Sequence, residues 1–336
     1  MSSTPLASRV SRAAATALAP DPGPCRDPGC ARHAGTHQYP PFPTGRSSGA
    51  VFGESVAEAW YRSGGSRLDI PAGIVAALAL WPIKTPGAAH ADALANYIAA
   101  QPPRVLVRGF AECFASHWNL RPDLMDRAWP LFGWTEEELS PTQLSGVQAV
   151  TQAALRHGVL HHTGDVDAAA RSRIDLMSWV ITSLRHHESR RSIGEYHTPP
   201  DISDLMGAML GAELPAVARP QGEWFIEATA GTGGLFRSMA QSLRAEGRDP
   251  ASYGWVMTEL DPLAAAGAAV NAVVWGLGPR AVVGCGDVLA RADLDRDTLV
   301  HQRELVQHRD RLSELTGFAI ASHTADRLLR ELIASR

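Results

Sequence analysis

The sequence predicts an α/β unit with few strands, preceded by an all-α helical domain. Three observations carry this reading. First, an apolar run ending in an acid, Trp224-Phe225-Ile226-Glu227, leads through a glycine-rich turn into a run with Leu235, Phe236, Met239, Ala240 and Leu243 at helical spacing. Second, two more short apolar runs follow, and both reach acids: Trp255-Val256-Met257-Thr258-Glu259 and Ala281-Val282-Val283 before Gly286-Asp287. Third, the stretch from Val51 to Arg191 is rich in alanine and leucine, broken by Pro and Gly, and has no sustained strand alternation.

The α/β elements take their order from the turn. Ala228-Thr229-Ala230-Gly231-Thr232-Gly233-Gly234 follows the first strand, and Gly231 and Gly233 can take positive φ and let a ligand approach the backbone. A strand, a tight turn and a helix N-terminus form the arrangement by which α/β folds hold nucleotide-like ligands. Upstream, Gly194-Glu195-Tyr196-His197-Thr198-Pro199-Pro200 precedes a helix with Ile202, Leu205, Met206, Met209 and Leu210 on one face. Downstream, Asp261-Pro262 is a cap followed by a first-turn proline, which starts the helix after the second strand.

These blocks, in this order, resemble the S-adenosylmethionine-dependent adenine-specific DNA methyltransferases, in particular the modification subunits of type I restriction systems. The resemblance spans about residues 190–290 and implies a Rossmann-like methyltransferase domain at 191–295, with 49–190 as the helical domain such subunits carry ahead of it. It implies S-adenosyl-L-methionine as cofactor. Glu227 would pair with its ammonium, and N–H groups near Thr232, Gly233 and Gly234 would meet its carboxylate. Glu259 would take the ribose hydroxyls, and Asp287, beside Val288, would lie near the adenine amino group. Tyr196, Thr198 and Pro199 would approach the methionine end from the opposite side, with Ala228, Thr229 and Gly231 lining the turn. The family usually shows Asp-Pro where this chain has Glu227-Ala228; the charge is kept on a longer arm.

One family block is missing. Adenine methyltransferases present the flipped base with an Asn/Asp/Ser-Pro-Pro-aromatic motif after the fourth strand. Here no asparagine occurs after Asn271 and no proline after Pro279. Tyr39-Pro40-Pro41-Phe42 and Gln101-Pro102-Pro103-Arg104 are no substitutes, so no catalytic residue is assigned and the catalytic half reads as truncated. Beyond Leu289 the spacing predicts helices over Asp297–Leu315 and Ala325–Ala334, with Gly317-Phe318-Ala319-Ile320-Ala321 as the one stretch able to make a fourth strand. A sheet of three or four strands leaves an edge open, so a C-terminal helix, a second copy or a partner chain is expected to cover it.

In the helical domain the candidates are 51–62, 71–80, 88–100, 103–116, 123–131, 141–157 and 167–188. His157, His161, His162, His186 and His187 show no convincing pairing for a metal and read as solvated helix ends. Arg185, Arg190 and Arg191 read first as a solvated basic face and second as a phosphate contact.

Composition bounds the rest. The chain has 336 residues, 45% of them hydrophobic, and a net charge of −4. No global basic field marks nucleic acid, so DNA, the partner the resemblance implies, would need a local patch. Lys84 is the only lysine, the mark of a GC-rich, bacterial coding sequence rather than of function. No apolar run suffices for a membrane span, and four scattered cysteines suit a reducing cytoplasm. Residues 1–48 read as a disordered Pro/Gly/Ala-rich tail. Within it Cys25, Cys30, His33 and His37 have the ligand chemistry of a zinc site, at a spacing that fits no common finger. Two other readings stand beside the methyltransferase-like one. The first is a cofactor-binding but catalytically silent regulatory or assembly subunit. The second is a helical interaction protein whose glycine turn is structural. A nicotinamide dinucleotide fold ranks below these, because Phe236 stands where its third glycine belongs.

Overall fold

The computed structural model describes residues 47–81, 88–185, 198, 200–212 and 224–334. Most of these are helical, and three short strands form the one sheet among them. The helical part contains α1 (Gly49–Arg62), α2 (Asp69–Leu80), α3 (Ala88–Ala99), α4 (Pro103–Leu120), α5 (Pro122–Ala128), α6 (Pro141–Arg156), α7 (Val159–Thr163), α8 (Ala168–Arg171) and α9 (Leu176–Leu184). The caps follow the sequence: Ser48 accepts from the Val51 N–H, and Ser140 with Gln143 makes a reciprocal capping box at α6. α2 is buried along almost its whole length, so the other helices pack around an apolar central rod.

The α/β part runs α10 (Pro200–Ala212), β1 (Trp224–Glu227), α11 (Gly234–Ala245), β2 (Gly254–Glu259), α12 (Pro262–Val274), β3 (Ala281–Cys285) and α13 (Leu294–Ala334). The strands are parallel in the order β1-β2-β3, with Glu227 opposite Met257 and Glu259 opposite Cys285. One face of the sheet carries Phe225 and Trp255, on which the Phe236 ring of α11 rests at 5.1 Å. Met257 lies on that same face, near Trp275 at the end of α12. The opposite face receives α13, and a Cβ on Gly284 would fall 2.3 Å from the Thr298 hydroxyl. The three strands are parallel, and both crossover helices lie on one side of them.

One apolar core runs from Phe52 and Trp60 through Leu78 and Phe110 to Trp255, Trp275 and Val283. α12 is the joint, because it packs on β2 and β3 and also on α2, α5 and α9. The helical and α/β parts therefore share their interior. The outer edge of β3 is closed by the helical part. Arg121 donates to the carbonyls of Gly278 (2.8 Å) and Ala281 (2.5 Å), and Arg127 donates to that of Val283 (3.2 Å).

Two expectations fail. The span 167–188 is not a single helix: α8 ends at Arg171, and Asp175 caps a new helix by accepting from the Ser178 N–H at 2.9 Å. The C-terminal region is one helix of 41 residues, and 317–321 adds no strand. A lone glycine within a long run of helix formers costs only about 1 kcal/mol, so Gly317 does not end α13.

Candidate functional site at the C-terminal ends of the strands

The turn after β1 has the backbone that its glycines permit. Gly231 lies at φ 55° and Gly233 at φ 91°, both in the left-handed region. The Gly233 N–H closes the turn on the Ala230 carbonyl at 2.7 Å, and Gly233 then caps α11 by accepting from the Arg237 N–H at 2.9 Å. Among the described residues, a side chain at Gly231 would meet nothing within 4 Å, whereas one at Gly233 would crowd Met257 and Trp275. Gly231 therefore faces open space and Gly233 faces the core. Among the described residues nothing accepts from the N–H groups of Gly234, Leu235 and Phe236, the first turn of α11. A helix start of this kind is suited to an anion.

The acids gather at the same end of the sheet. Glu227, Glu259 and Asp287 lie at or just beyond the C-terminal ends of three adjacent parallel strands, the Gly286 N–H bonding the Glu259 carbonyl at 2.9 Å. Glu227 is the unusual one. Its Oε2 is buried and, among the described residues, has no hydrogen-bond partner. Burial, and then the charge of Glu259, push its carboxyl up to about 7. Among the described residues no cation offsets that desolvation.

Glu259 is already engaged. Its Oε2 accepts from the Gly231 N–H at 2.7 Å and its Oε1 from the Asp261 N–H at 2.9 Å. It thus ties the turn after β1 to the helix start after β2, a role the sequence reading did not assign. Each carboxylate oxygen keeps a further acceptor position, so ribose hydroxyls remain chemically compatible with it. Asp287 is exposed, and its Oδ1 accepts from the N–H groups of Leu289 (2.9 Å) and Ala290 (3.3 Å). Ala228, Thr229 and Thr198 are exposed, Val288 is half-buried, and Thr232 is buried beneath the turn. Tyr196 and Pro199 lie outside the described residues, as do Cys25, Cys30, His33 and His37.

The sequence reading missed the support under the turn, which comes from the helical part. Asp175 is half-buried, and its Oδ2 accepts from the Thr232 hydroxyl at 2.6 Å. Its Oδ1 accepts from Asn271 Nδ2 at 2.9 Å, and Asn271 also donates to the Thr232 carbonyl at 2.9 Å. Burial pushes the Asp175 carboxyl up, while the bonds from Thr232, Ser178 and Asn271 oppose this. The available signal was Asp175 standing before the apolar run Leu176–Leu184, an N-cap inside a span read as one helix. At the other end of α9, Arg185 is buried and pairs with the Asp261 carboxylate at 2.6 Å. Arg185 is therefore no solvated basic face; Arg190 and Arg191 lie outside the described residues.

The histidines are also structural. His157 Nδ1 lies 2.7 Å from the Ser47 hydroxyl, His162 Nε2 lies 3.1 Å from the Ser47 carbonyl, and His161 pairs with Asp92 at 2.9 Å. His157 and His162 hold the backbone just before α1, and His161 ties α7 to α3, so none of the three is a solvated helix end; His186 and His187 lie outside the described residues. Among the described residues no group of three or more His, Cys, Asp or Glu could hold a metal, and no helix is long and apolar enough to cross a membrane. No protein-family model matches the sequence, and no curated protein matches it.

Proposed function

We propose that this chain binds S-adenosyl-L-methionine at the C-terminal ends of β1 and β2, as a DNA adenine methyltransferase-like protein of a restriction-modification type system. The single observation that carries the reading is Glu227: a half-buried side chain with its carboxyl raised to about 7 and its buried Oε2 without a described partner, beside a glycine turn and a helix start whose N–H groups have no described acceptor. An amino acid moiety answers both needs at once. Its ammonium meets Glu227 and its carboxylate meets the N–H groups of Gly234, Leu235 and Phe236. Glu259 and Asp287 are then placed for the nucleoside hydroxyls and the base, as the resemblance implies. The open space at Gly231 gives the ligand backbone access.

A second reading, a cofactor-binding subunit without catalysis of its own, is favoured by the stretch after β3. A short turn leads into α13, and no asparagine follows Asn271 and no proline follows Pro279, so these residues hold no Asn-Pro-Pro block to present a target amine. Equilibrium dialysis with labelled S-adenosylmethionine, followed by transfer to adenine-containing duplex DNA, separates the readings. Cofactor retention with no label on DNA is the expected result. Label on DNA would establish a complete enzyme. No retention at millimolar cofactor by the folded chain would leave the helical interaction protein.

A further inference from the structure

α9 reaches the candidate site at both of its ends, and each end touches a different side of it. At the N-terminal end, Asp175 accepts from the Thr232 hydroxyl in the glycine turn after β1. At the C-terminal end, Arg185 pairs with the carboxylate of Asp261, two residues beyond Glu259 at the end of β2. The same Asp261 oxygen accepts from the Ala264 N–H at 2.8 Å, so Arg185 holds the residue that caps α12. Nine helical residues, about 14 Å of helix, separate the two ends.

The contacts close into a ring. Asp261 donates its N–H to Glu259 Oε1, Gly231 donates its N–H to Glu259 Oε2, and Gly231 precedes Thr232, which returns to Asp175. Glu259 is therefore held by one donor from each turn, and each turn is held by one end of α9. Two donors on two different oxygens set the plane of the carboxyl group and aim its remaining acceptor positions. α9 is itself fixed along its length. Gly53 of α1 leaves no room for a Cβ against the Trp179 carbonyl, and the Tyr61 hydroxyl donates to the Leu184 carbonyl. On the other side, a Cβ on Gly267 of α12 would lie 3.3 Å from Ile181 and 3.4 Å from Met177. Close packing on both sides leaves α9 little freedom to shift without moving the two turns.

We infer that Arg185 is a positioning residue for Glu259. By holding Asp261 it fixes the carboxylate that faces the nucleoside half of the ligand, and it acts from the helical part. Its side chain is 7% exposed, so it works through Asp261 and not on a ligand directly. That the ligand has a nucleoside half rests on the cofactor reading; the ring of contacts does not.

The first test uses the full chain without ligand and stands apart from the cofactor reading. Amide hydrogen exchange is followed in wild type, Arg185→Gln, Asp261→Asn and the double variant. Asparagine keeps the helix cap while losing the charge pair, so Asp261→Asn carries the same test should Arg185→Gln fail to fold. Each single variant should speed exchange of the Gly231 and Asp261 amides at least about fivefold and leave those of Val256 and Met257 within about twofold. The double variant should add nothing beyond either single one. Unchanged Gly231 exchange, equal acceleration through β2, or additive effects would each overturn the inference. Binding is the second test. Adenosine should bind Arg185→Gln at least about tenfold more weakly than wild type, and methionine within about twofold as well. Equal loss of both would overturn the assignment to the nucleoside half. A wild-type chain that binds neither would strike the cofactor reading alone, with the exchange result still deciding the role of Arg185.

Discussion

Glu227 concentrates the chemistry in one carboxyl, and its titration has a definite sign. Its folded value of about 7 lies above the ordinary 4.5, so between those pH values the folded chain holds a proton that the unfolded chain has lost. Stability from this group is unaffected below pH 4.5, falls as pH rises through the window, and is lowest above 7, by at most about 3 kcal/mol. Glu227→Gln should therefore flatten the fall in thermal midpoint between pH 5 and 8 and raise the midpoint at pH 8. An unchanged profile would show that Glu227 is solvated. Asp175 should behave in the opposite way on removal. Asp175→Ala strands the Thr232 hydroxyl and the Asn271 amide, and should cost about 3 kcal/mol in denaturant unfolding. These two acids also show what single residues reveal in sequence. Glu227 was legible because it ends an apolar run before glycines. Asp175 was not, because its partners Thr232 and Asn271 are 57 and 96 residues away and reach it only through the tertiary fold.

Among the elements, the glycine turn is the most exacting. Gly231→Val puts a β-branched side chain at φ 55°, which should cost roughly 1–2 kcal/mol and abolish cofactor retention. Far-UV circular dichroism should stay within error of wild type, because no described residue packs on Gly231. Unchanged cofactor affinity would mean that the ligand lies elsewhere. The three strands, the turn and their helices were legible, since the strands are short apolar runs, the turn is marked by glycines, α11 has a helical period and Asp261 caps α12. The break before α9 was hidden because Asp175 caps within a continuous apolar pattern. The continuity of α13 was hidden because Gly317 looks like a stop signal, yet glycine inside a long exposed helix is only mildly unfavourable.

For the molecule as a whole, the helical part supports the site and does more than precede it. α12 buries its surface on both parts, Asp175 and Arg185 reach across to the turn and to Asp261, and Arg121 and Arg127 close one sheet edge. Unfolding should be a single cooperative transition by near- and far-UV signals, whereas two separated midpoints would show that the parts fold independently. None of this joining was legible in the sequence, where a run of helices and a glycine turn read as two domains side by side.

The central claim is that Glu227 awaits a cation, and calorimetry in two buffers tests it most directly. S-adenosylmethionine is titrated into the full chain at pH 6.5 in phosphate and in imidazole, which differ in ionisation enthalpy. Below about 7 the free carboxyl is largely protonated, so binding an ammonium must expel its proton. The account predicts one site, an observed enthalpy that differs between the buffers by the heat of taking up somewhat less than one proton, and loss of that difference in Glu227→Gln. Binding with identical enthalpy in both buffers, or no binding to the folded chain at millimolar cofactor, would contradict it.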